Sequence, residues 1–161
     1  MTIRTIVCGA YQSNAYLIDR EDRDDALLID AGDDIQGILK AIEESGKRLC
    51  AVVLTHGHFD HILAAGAVRA ATGAKLYIHE ADAPMLEDAR RSLYDAMASS
   101  VPFTPCEADV RIQTPGDTGV LSLAGFDFQV LNTRGHTQGG ICLWDEAARA
   151  VFTGDTLFAD G

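Results

Sequence analysis

Residues 55–61 read THGHFDH and hold three of the five histidines of this 161-residue chain. Imidazole and carboxylate groups are ligands that zinc prefers in proteins. In an extended segment His56 and His58 point the same way, so both can bind one ion. Asp60 and His61 begin the turn into the next segment and can bind a second ion beside it. A solvated turn more often uses Asn, Ser or Lys, so this segment predicts a metal site.

Two later segments carry residues of the same kind. His136 lies between glycines in RGHTQGG (134–140), and Asp155 lies in FTGDT (152–156), each after a predicted strand. In sheets covered by helices, ligand sites form beyond the carboxyl ends of strands. Both residues are therefore candidates to complete the site, although Asp155 alone is equally consistent with an ordinary turn. The fifth histidine, His79, is predicted to be a surface or helix-start residue.

The first half of the chain alternates strands with helices. Apolar runs rich in β-branched residues predict three strands, namely Thr2–Val7, Ala15–Ile18 and Ala26–Ile29. The polar stretch Asp19–Asp25 predicts a hairpin loop between the last two. Apolar residues at helical spacing over Ile35–Ile42 predict a helix, with Asp33 or Asp34 as its N-cap and Gly46 at its end. The continuous apolar run 49–55 predicts a strand buried on both faces.

The second half of the chain is mostly strand. Helical patterns cover Ile62–Thr72 and Ala81–Ala98, the latter as one helix or two, and residues 99–119 hold three of the four prolines and predict an irregular loop. Short apolar runs predict strands at 75–79, Val120–Leu123, Phe126–Leu131, Ile141–Trp144 and Ala150–Phe152. This order of elements predicts a single α/β domain in which sheets are covered by helices.

Composition narrows the partners and the compartment. The formal net charge of −11 argues against nucleic acid or an anionic membrane as a partner, because phosphate binding needs clustered Lys and Arg. The four cysteines lack CxxC spacing and are predicted to be reduced thiols. We find neither a signal peptide at the N-terminus nor an apolar run long enough for a membrane span. We therefore expect a cytoplasmic protein.

The motifs together resemble the metallo-β-lactamase superfamily. THGHFDH matches its HxHxDH signature, GHTQG its GHTxG segment, GDTLF the segment that follows, and LLIDAG its DxG strand end. Gln138 stands where most relatives have Pro, outside the ligand set. Within the superfamily the chain is most similar to the short glyoxalase II-like (hydroxyacylglutathione hydrolase-like) hydrolases. The resemblance implies an α/β fold of the αββα sandwich type, with metals at one edge.

The resemblance also implies a ligand set. It assigns His56, His58 and His136 to a first metal, Asp60 and His61 to a second, and Asp155 to a bridge between them. Asp60 would also be catalytic, because it would orient the nucleophile. Asp30 would support the histidine loop, since a ligating histidine needs its other ring nitrogen held. The implied cofactor is Zn²⁺, one ion or two, with iron and manganese as the alternatives.

After the GDTLF segment the family continues with a helix, a strand ending in a GHG segment, and a closing helix. The resemblance of this chain stops before these elements. The histidine of GHG would be the last ligand of the second metal, and no histidine follows His136. We therefore expect a sandwich that lacks the usual C-terminal helix–strand–helix, with residues 1–161 a C-terminally incomplete domain. Either the chain is truncated or a partner supplies the rest. An exposed sheet edge would favour a homodimer.

The resemblance implies a small-molecule substrate, and three functions follow from it. The first is a zinc hydrolase in which a metal-bound hydroxide attacks the carbonyl of a small thioester or ester. The second is a mononuclear-iron persulfide dioxygenase-like oxidoreductase, with its iron on His56, His58, His136 and Asp155. The third is an inactive metal-binding fragment that folds but does not turn over.

Overall fold

The computed structural model describes residues 1–97 and 99–158 of the chain. They form two β-sheets and three α-helices. The first sheet contains, in spatial order, β1 (Thr2–Cys8), β2 (Ser13–Asp19), β3 (Asp25–Ile29), β4 (Arg48–Val53), β5 (Lys75–His79) and β6 (Val110–Ile112). The second contains β10 (Ala150–Phe152), β9 (Ile141–Asp145), β8 (Phe126–Asn132) and β7 (Thr118–Leu123). The helices are α1 (Ile35–Ser45), α2 (Phe59–Ile62) and α3 (Ala65–Thr72).

The first sheet is antiparallel on one side and parallel on the other. β1, β2 and β3 are antiparallel, with the predicted hairpin between β2 and β3, whereas β3, β4, β5 and β6 run parallel. Ile29 at the end of β3 lies opposite Val53 at the end of β4. Because parallel strands end at the same edge of a sheet, the segments that follow β3, β4 and β5 meet there.

Two apolar cores join the layers. Val52 of β4 packs in a core with Ile38 of α1, on the face of the first sheet that the helices cover. Its neighbour Val53 packs in the other core with Phe128 of β8, between the two sheets. Successive residues of a strand point to opposite faces, so β4 is buried on both faces, as its continuous apolar run predicts.

The α/β fold is confirmed, and the described residues supply a helix layer and two sheet layers of the expected αββα sandwich. Helix α1 begins and ends as predicted: the Asp34 side chain accepts a hydrogen bond from the Gly37 amide, and Gly46 ends the helix at φ 65°. The four cysteines are free thiols, as predicted. Across residues 1–97 and 99–158, every helix is too short or too polar to cross a membrane.

The helical prediction for Ala81–Ala98 is wrong. This segment holds only two short 3₁₀ helices, Ala83–Leu86 and Tyr94–Ala96, and Ala98 lies outside the described residues. Between them the Asp88 side chain accepts hydrogen bonds from the amides of Arg90 and Arg91. Such side-chain bonds compete with the bonds of a helix.

Two other boundaries also differ from the prediction. Residues 99–119 are not wholly irregular, because β6 adds a short parallel strand beside β5 and β7 begins at Thr118. The helix predicted over Ile62–Thr72 is two helices, α2 and α3. The first of them starts earlier, inside the histidine segment, at Phe59.

The packing of the two sheets gives a first prediction. Phe128 is fully buried between the sheets, where its ring packs near those of Phe126 and Phe152. We expect Phe128→Ala to lower the free energy of unfolding by about 3–5 kcal/mol, because it leaves a cavity. Chemical denaturation measures this change. The neighbouring residue Gln129 is exposed on the opposite face, so Gln129→Ala should change stability by less than about 0.5 kcal/mol. Equal losses would contradict the observed strand register.

Candidate metal centre

The histidine segment begins where β4 ends. The chain leaves the strand at Thr55 and turns at Gly57, where a side chain would not fit, since a Cβ atom would lie 2.6 Å from Cβ of Met85. His58 then precedes the first turn of α2. This short helix carries Asp60 and His61, so the segment changes from extended to helical in its middle. The extended part and the helical part therefore present their donors from different directions.

Three histidines meet in a first group. One ring nitrogen from each of His56, His58 and His136 lies within 4.8 Å of the others. The Nδ1 atom of His58 is 2.8 Å from Nε2 of His136. His136 comes from the segment after β8, which lies in the second sheet, so the group joins the two sheets at one edge. These are the three residues assigned to the first metal by sequence.

A second group shares one histidine with the first. Donor atoms of His56, His61 and Asp155 also lie within 4.8 Å of one another. Asp155 Oδ1 is 3.1 Å from Nε2 of His61, and its Oδ2 is 3.3 Å from Nε2 of His136. Asp155 thus lies between the groups, where a bridging ligand would be. Asp60 belongs to neither group, and its Oδ2 lies 3.6 Å from Nε2 of His61.

Asp30 and Thr55 determine which nitrogen of His56 is free. An ionised carboxylate only accepts hydrogen bonds, so the Thr55 hydroxyl donates to Asp30 Oδ2 at 2.8 Å. That hydroxyl has one hydrogen, so at its 3.1 Å contact with His56 Nδ1 the ring nitrogen must donate. Nε2 of His56 is then left with its lone pair, as a metal ligand requires.

Asp30 also holds the ring of His61. Its Oδ2 lies 2.8 Å from His61 Nδ1, and its Oδ1 accepts the Thr55 amide at 2.7 Å. The Nε2 atom of His61 therefore points to Asp155. The structure places Asp30 beneath the histidine segment, where the sequence assigns it a supporting role. Thr55 was not assigned a role, although it adjoins His56, because a threonine at a strand exit carries no chemical signal of its own.

Burial keeps two of the rings neutral. Burial, and next the charge of a protonated His61, hold the pKa of His56 far below its usual range. Burial and the neighbouring His136 also lower the pKa of His58. Neutral imidazole is the form that binds metal ions. His56 and His58 therefore have ring nitrogens in the ligating state near neutral pH.

The other side of the cluster favours positive charge. Burial disfavours a protonated His61, but Asp30 beside Nδ1 and Asp155 beside Nε2 outweigh it and raise its pKa to about 10. Burial also opposes ionisation of Asp155, but the hydrogen bond and charge of His61 outweigh it and lower the pKa of Asp155. Burial raises the pKa of Asp60. Carboxylates around one buried ring stabilise a cation at this position.

These residues fit a metal ion. Nε2 of His56 is buried and has no hydrogen-bond partner among the described residues. An unpaired buried polar atom costs about 1–3 kcal/mol, and a bound cation would satisfy it. The surrounding donors are imidazole and carboxylate groups, which suit zinc and also iron or manganese.

A cleft of about 350 Å³ opens beside the second group. Its walls include Tyr11, Asn14, Tyr16, Asp60, His61, Asp155, Leu157 and Phe158. The donor cluster forms part of this cleft, so a small molecule that enters it would contact Asp60, His61 and Asp155. The Asp60 side chain is 20% exposed, which leaves its carboxylate accessible from the cleft.

The remaining histidine and one aspartate differ from the sequence prediction. His79 is buried, and its Nε2 lies 3.0 Å from the Thr114 hydroxyl, so the surface or helix-start prediction for it is wrong. It belongs to neither donor group. Asp82, which was given no role, is buried beneath the histidine segment, where it accepts a hydrogen bond from the Gly57 amide at 3.0 Å. Its position shortly after the end of β5 was a sequence feature that could have indicated this role.

Comparisons with known proteins agree with the fold. The hydroxyacylglutathione hydrolase GloC of Haemophilus influenzae is 32% identical over 163 residues, which cover 100% of this chain and 74% of that relative. Among solved structures, the BLEG-1 B3 metallo-beta-lactamase matches with a TM-score of 0.88 and 29% identity over 98% of this chain and 73% of its own.

TTHA1623, solved in a di-iron-bound form, matches with a TM-score of 0.80 and 30% identity over 98% of this chain and 74% of its own. The family model of the metallo-beta-lactamase superfamily matches residues 8–161. The chain therefore belongs to the metallo-beta-lactamase superfamily, a family of metal-dependent hydrolases.

Proposed function

We propose that this chain is a zinc-dependent hydrolase of the glyoxalase II-like type that cleaves a small thioester or ester. The observation that carries the proposal is the pair of donor groups that share His56, whose buried Nε2 has no partner among the described residues. Bound there, zinc would act as a Lewis acid on the substrate carbonyl and lower the pKa of a coordinated water.

Different residues of the protein would hold the two metal ions. His56, His58 and His136 would hold one ion, Asp60 and His61 would hold a second, and Asp155 would contact both. Within the described residues three ring nitrogens converge at the first position. The second position would depend on the ring of His61 and on the carboxylates of Asp60 and Asp155.

Asp60 would orient the attacking water. Its carboxylate lines the cleft, and its main-chain oxygen accepts a hydrogen bond from the Ser13 hydroxyl at 2.6 Å. That bond fixes the first turn of α2 against β2. Asn14 and Tyr16, which line the same cleft, bring donor groups to the side from which a substrate would enter. No serine or cysteine nucleophile is needed for this chemistry.

The comparisons support a thioester as substrate. The name of the relative GloC specifies a hydroxyacylglutathione, which is a thioester, and GloC aligns with the whole of this chain. The alternative is a single-iron oxidoreductase of the persulfide dioxygenase type, which would use only the first donor group and Asp155. The di-iron form of TTHA1623 favours iron as a metal that such a site accepts.

The proposal predicts that zinc binding depends on His56. Both His56 and His79 are buried at strand exits, but only His56 belongs to the donor groups. We expect His56→Gln to lose bound zinc, measured by elemental analysis, and to lose the rise in unfolding temperature that excess zinc gives the wild type. Ligand at 100 times its dissociation constant stabilises by about 2.7 kcal/mol. His79→Gln should keep both properties, and full zinc occupancy in His56→Gln would contradict the assignment.

Hydrolysis gives the test of the function itself. The zinc-loaded protein should cleave a hydroxyacylglutathione thioester, lose this activity on chelation and regain it with zinc. Asp60→Asn should lower kcat by about 100- to 10,000-fold if Asp60 orients the nucleophile. Asp127→Asn is the control, since Asp127 is exposed on β8 and its side chain accepts a hydrogen bond from the Ser122 hydroxyl, with no other side-chain bond among the described residues.

The other outcomes of this experiment favour the alternative functions. Zinc binding without cleavage of any acyl thioester or ester would contradict the hydrolase proposal and favour an inactive metal-binding fragment. Stoichiometric iron with thiol-dependent oxygen uptake would favour the oxidoreductase.

A further inference from the structure

A carboxylate that is not a metal ligand joins the two segments that carry the three histidines of the first group. Asp82 follows β5 and is 1% exposed. One of its oxygens, Oδ2, accepts the Gly57 amide at 3.0 Å and the Thr137 hydroxyl at 2.6 Å. The other, Oδ1, accepts the Gly139 amide at 2.7 Å. A single buried side chain therefore receives three hydrogen bonds from two separate segments.

These bonds fall next to the metal-binding residues. Gly57 lies between His56 and His58, and Thr137 directly follows His136. A shift of Asp82 would move the backbone on both sides of the first donor group. Outer contacts of this kind orient ligands and alter metal affinity.

The local structure around Asp82 argues against an ordinary capping role. Asp82 precedes the 3₁₀ helix Ala83–Leu86 at the N-cap position, where Asp side chains usually accept an amide of their own helix. Its side chain makes no such capping bond. Both oxygens are used by the histidine segments instead.

The contact is also closely fitted. A Cβ atom at Gly139 would lie 2.7 Å from the Asp82 amide nitrogen and 2.8 Å from its Cγ. On the opposite side, Met85 packs against Gly57 so closely that a Cβ there would lie 2.6 Å from Met85 Cβ. Three segments from β4, β5 and β8 thus meet around one carboxylate with no room for an added methyl group.

We propose that Asp82 is a positioning residue, which holds His56, His58 and His136 in their converging arrangement through its bonds to Gly57, Thr137 and Gly139. The inference rests on the proposed metal site, but it does not depend on which substrate is cleaved. All three partners donate hydrogen bonds, so both oxygens of the Asp82 side chain must accept. In Asp82→Asn an NH₂ group replaces one of these oxygens and would face a hydrogen-bond donor.

Zinc affinity tests this role directly. The dissociation constant can be measured by competition with a chromophoric chelator, and the unfolding temperature of the chelator-treated protein can be measured in parallel. We expect Asp82→Asn and Thr137→Val to weaken zinc binding by about 10- to 100-fold. Thr137→Ser, which keeps the hydroxyl, should restore an affinity within about threefold of the wild type.

A matched control separates positioning from general stability. Asp145 is also a buried aspartate that accepts an amide, from Ala148 at 3.0 Å, but it lies outside both donor groups. Asp145→Asn should leave zinc affinity unchanged even if it lowers the unfolding temperature. If Asp82→Asn does not fold, the comparison of Thr137→Val with Thr137→Ser decides.

Three results would overturn the proposal. They are wild-type affinity in Thr137→Val, equal affinity losses in Thr137→Val and Thr137→Ser, and a loss in Asp145→Asn as large as that in Asp82→Asn. A wild-type chain that binds no zinc would overturn this proposal together with the metal site. Zinc binding that follows the expected order without any thioester or ester cleavage would leave Asp82 in its role and reject only the hydrolase function.

Discussion

The structure of the site depends on one buried carboxylate, Asp30, being fully hydrogen-bonded. It lies at the end of β3 in a left-handed conformation, at φ 59°, and accepts bonds from Thr55 and His61. A buried charge without partners is strongly unfavourable. Because β3 and β4 are parallel and end side by side, the partners are available. The same bonds leave Nε2 of His56 and Nε2 of His61 directed toward the shared space.

Much of this arrangement could be predicted because it rests on local patterns. The alternation of strands and helices, the buried strand β4 and the N-cap of α1 follow from periodicity and from single residue types. The donors of THGHFDH, His136 and Asp155 each follow a strand, and ligand sites in sheets covered by helices form beyond the carboxyl ends of strands. Candidate metal-binding residues that follow predicted strands can therefore be identified from the sequence.

The parts that were missed depend on contacts distant in sequence. β6 has only three residues and exists because it pairs with β5, which is a tertiary effect that strand propensity does not capture. The segment after β5 is predicted to be helical, but it holds only short 3₁₀ helices among its described residues. Between them the Asp88 side chain accepts hydrogen bonds from the backbone. The roles of Thr55 and Asp82 come from their partners across the fold, and neither residue type marks such a role in the sequence.

We infer that the strand ends bring one metal-binding centre together around His56. A crystal structure of the zinc-loaded protein, with anomalous scattering recorded on both sides of the zinc absorption edge, tests this inference most directly. We predict an anomalous peak within bonding distance of Nε2 of His56, with His58 and His136 as further ligands. A saturating zinc concentration that gives no peak there, or a peak only at other residues with Nε2 of His56 unliganded, would contradict it.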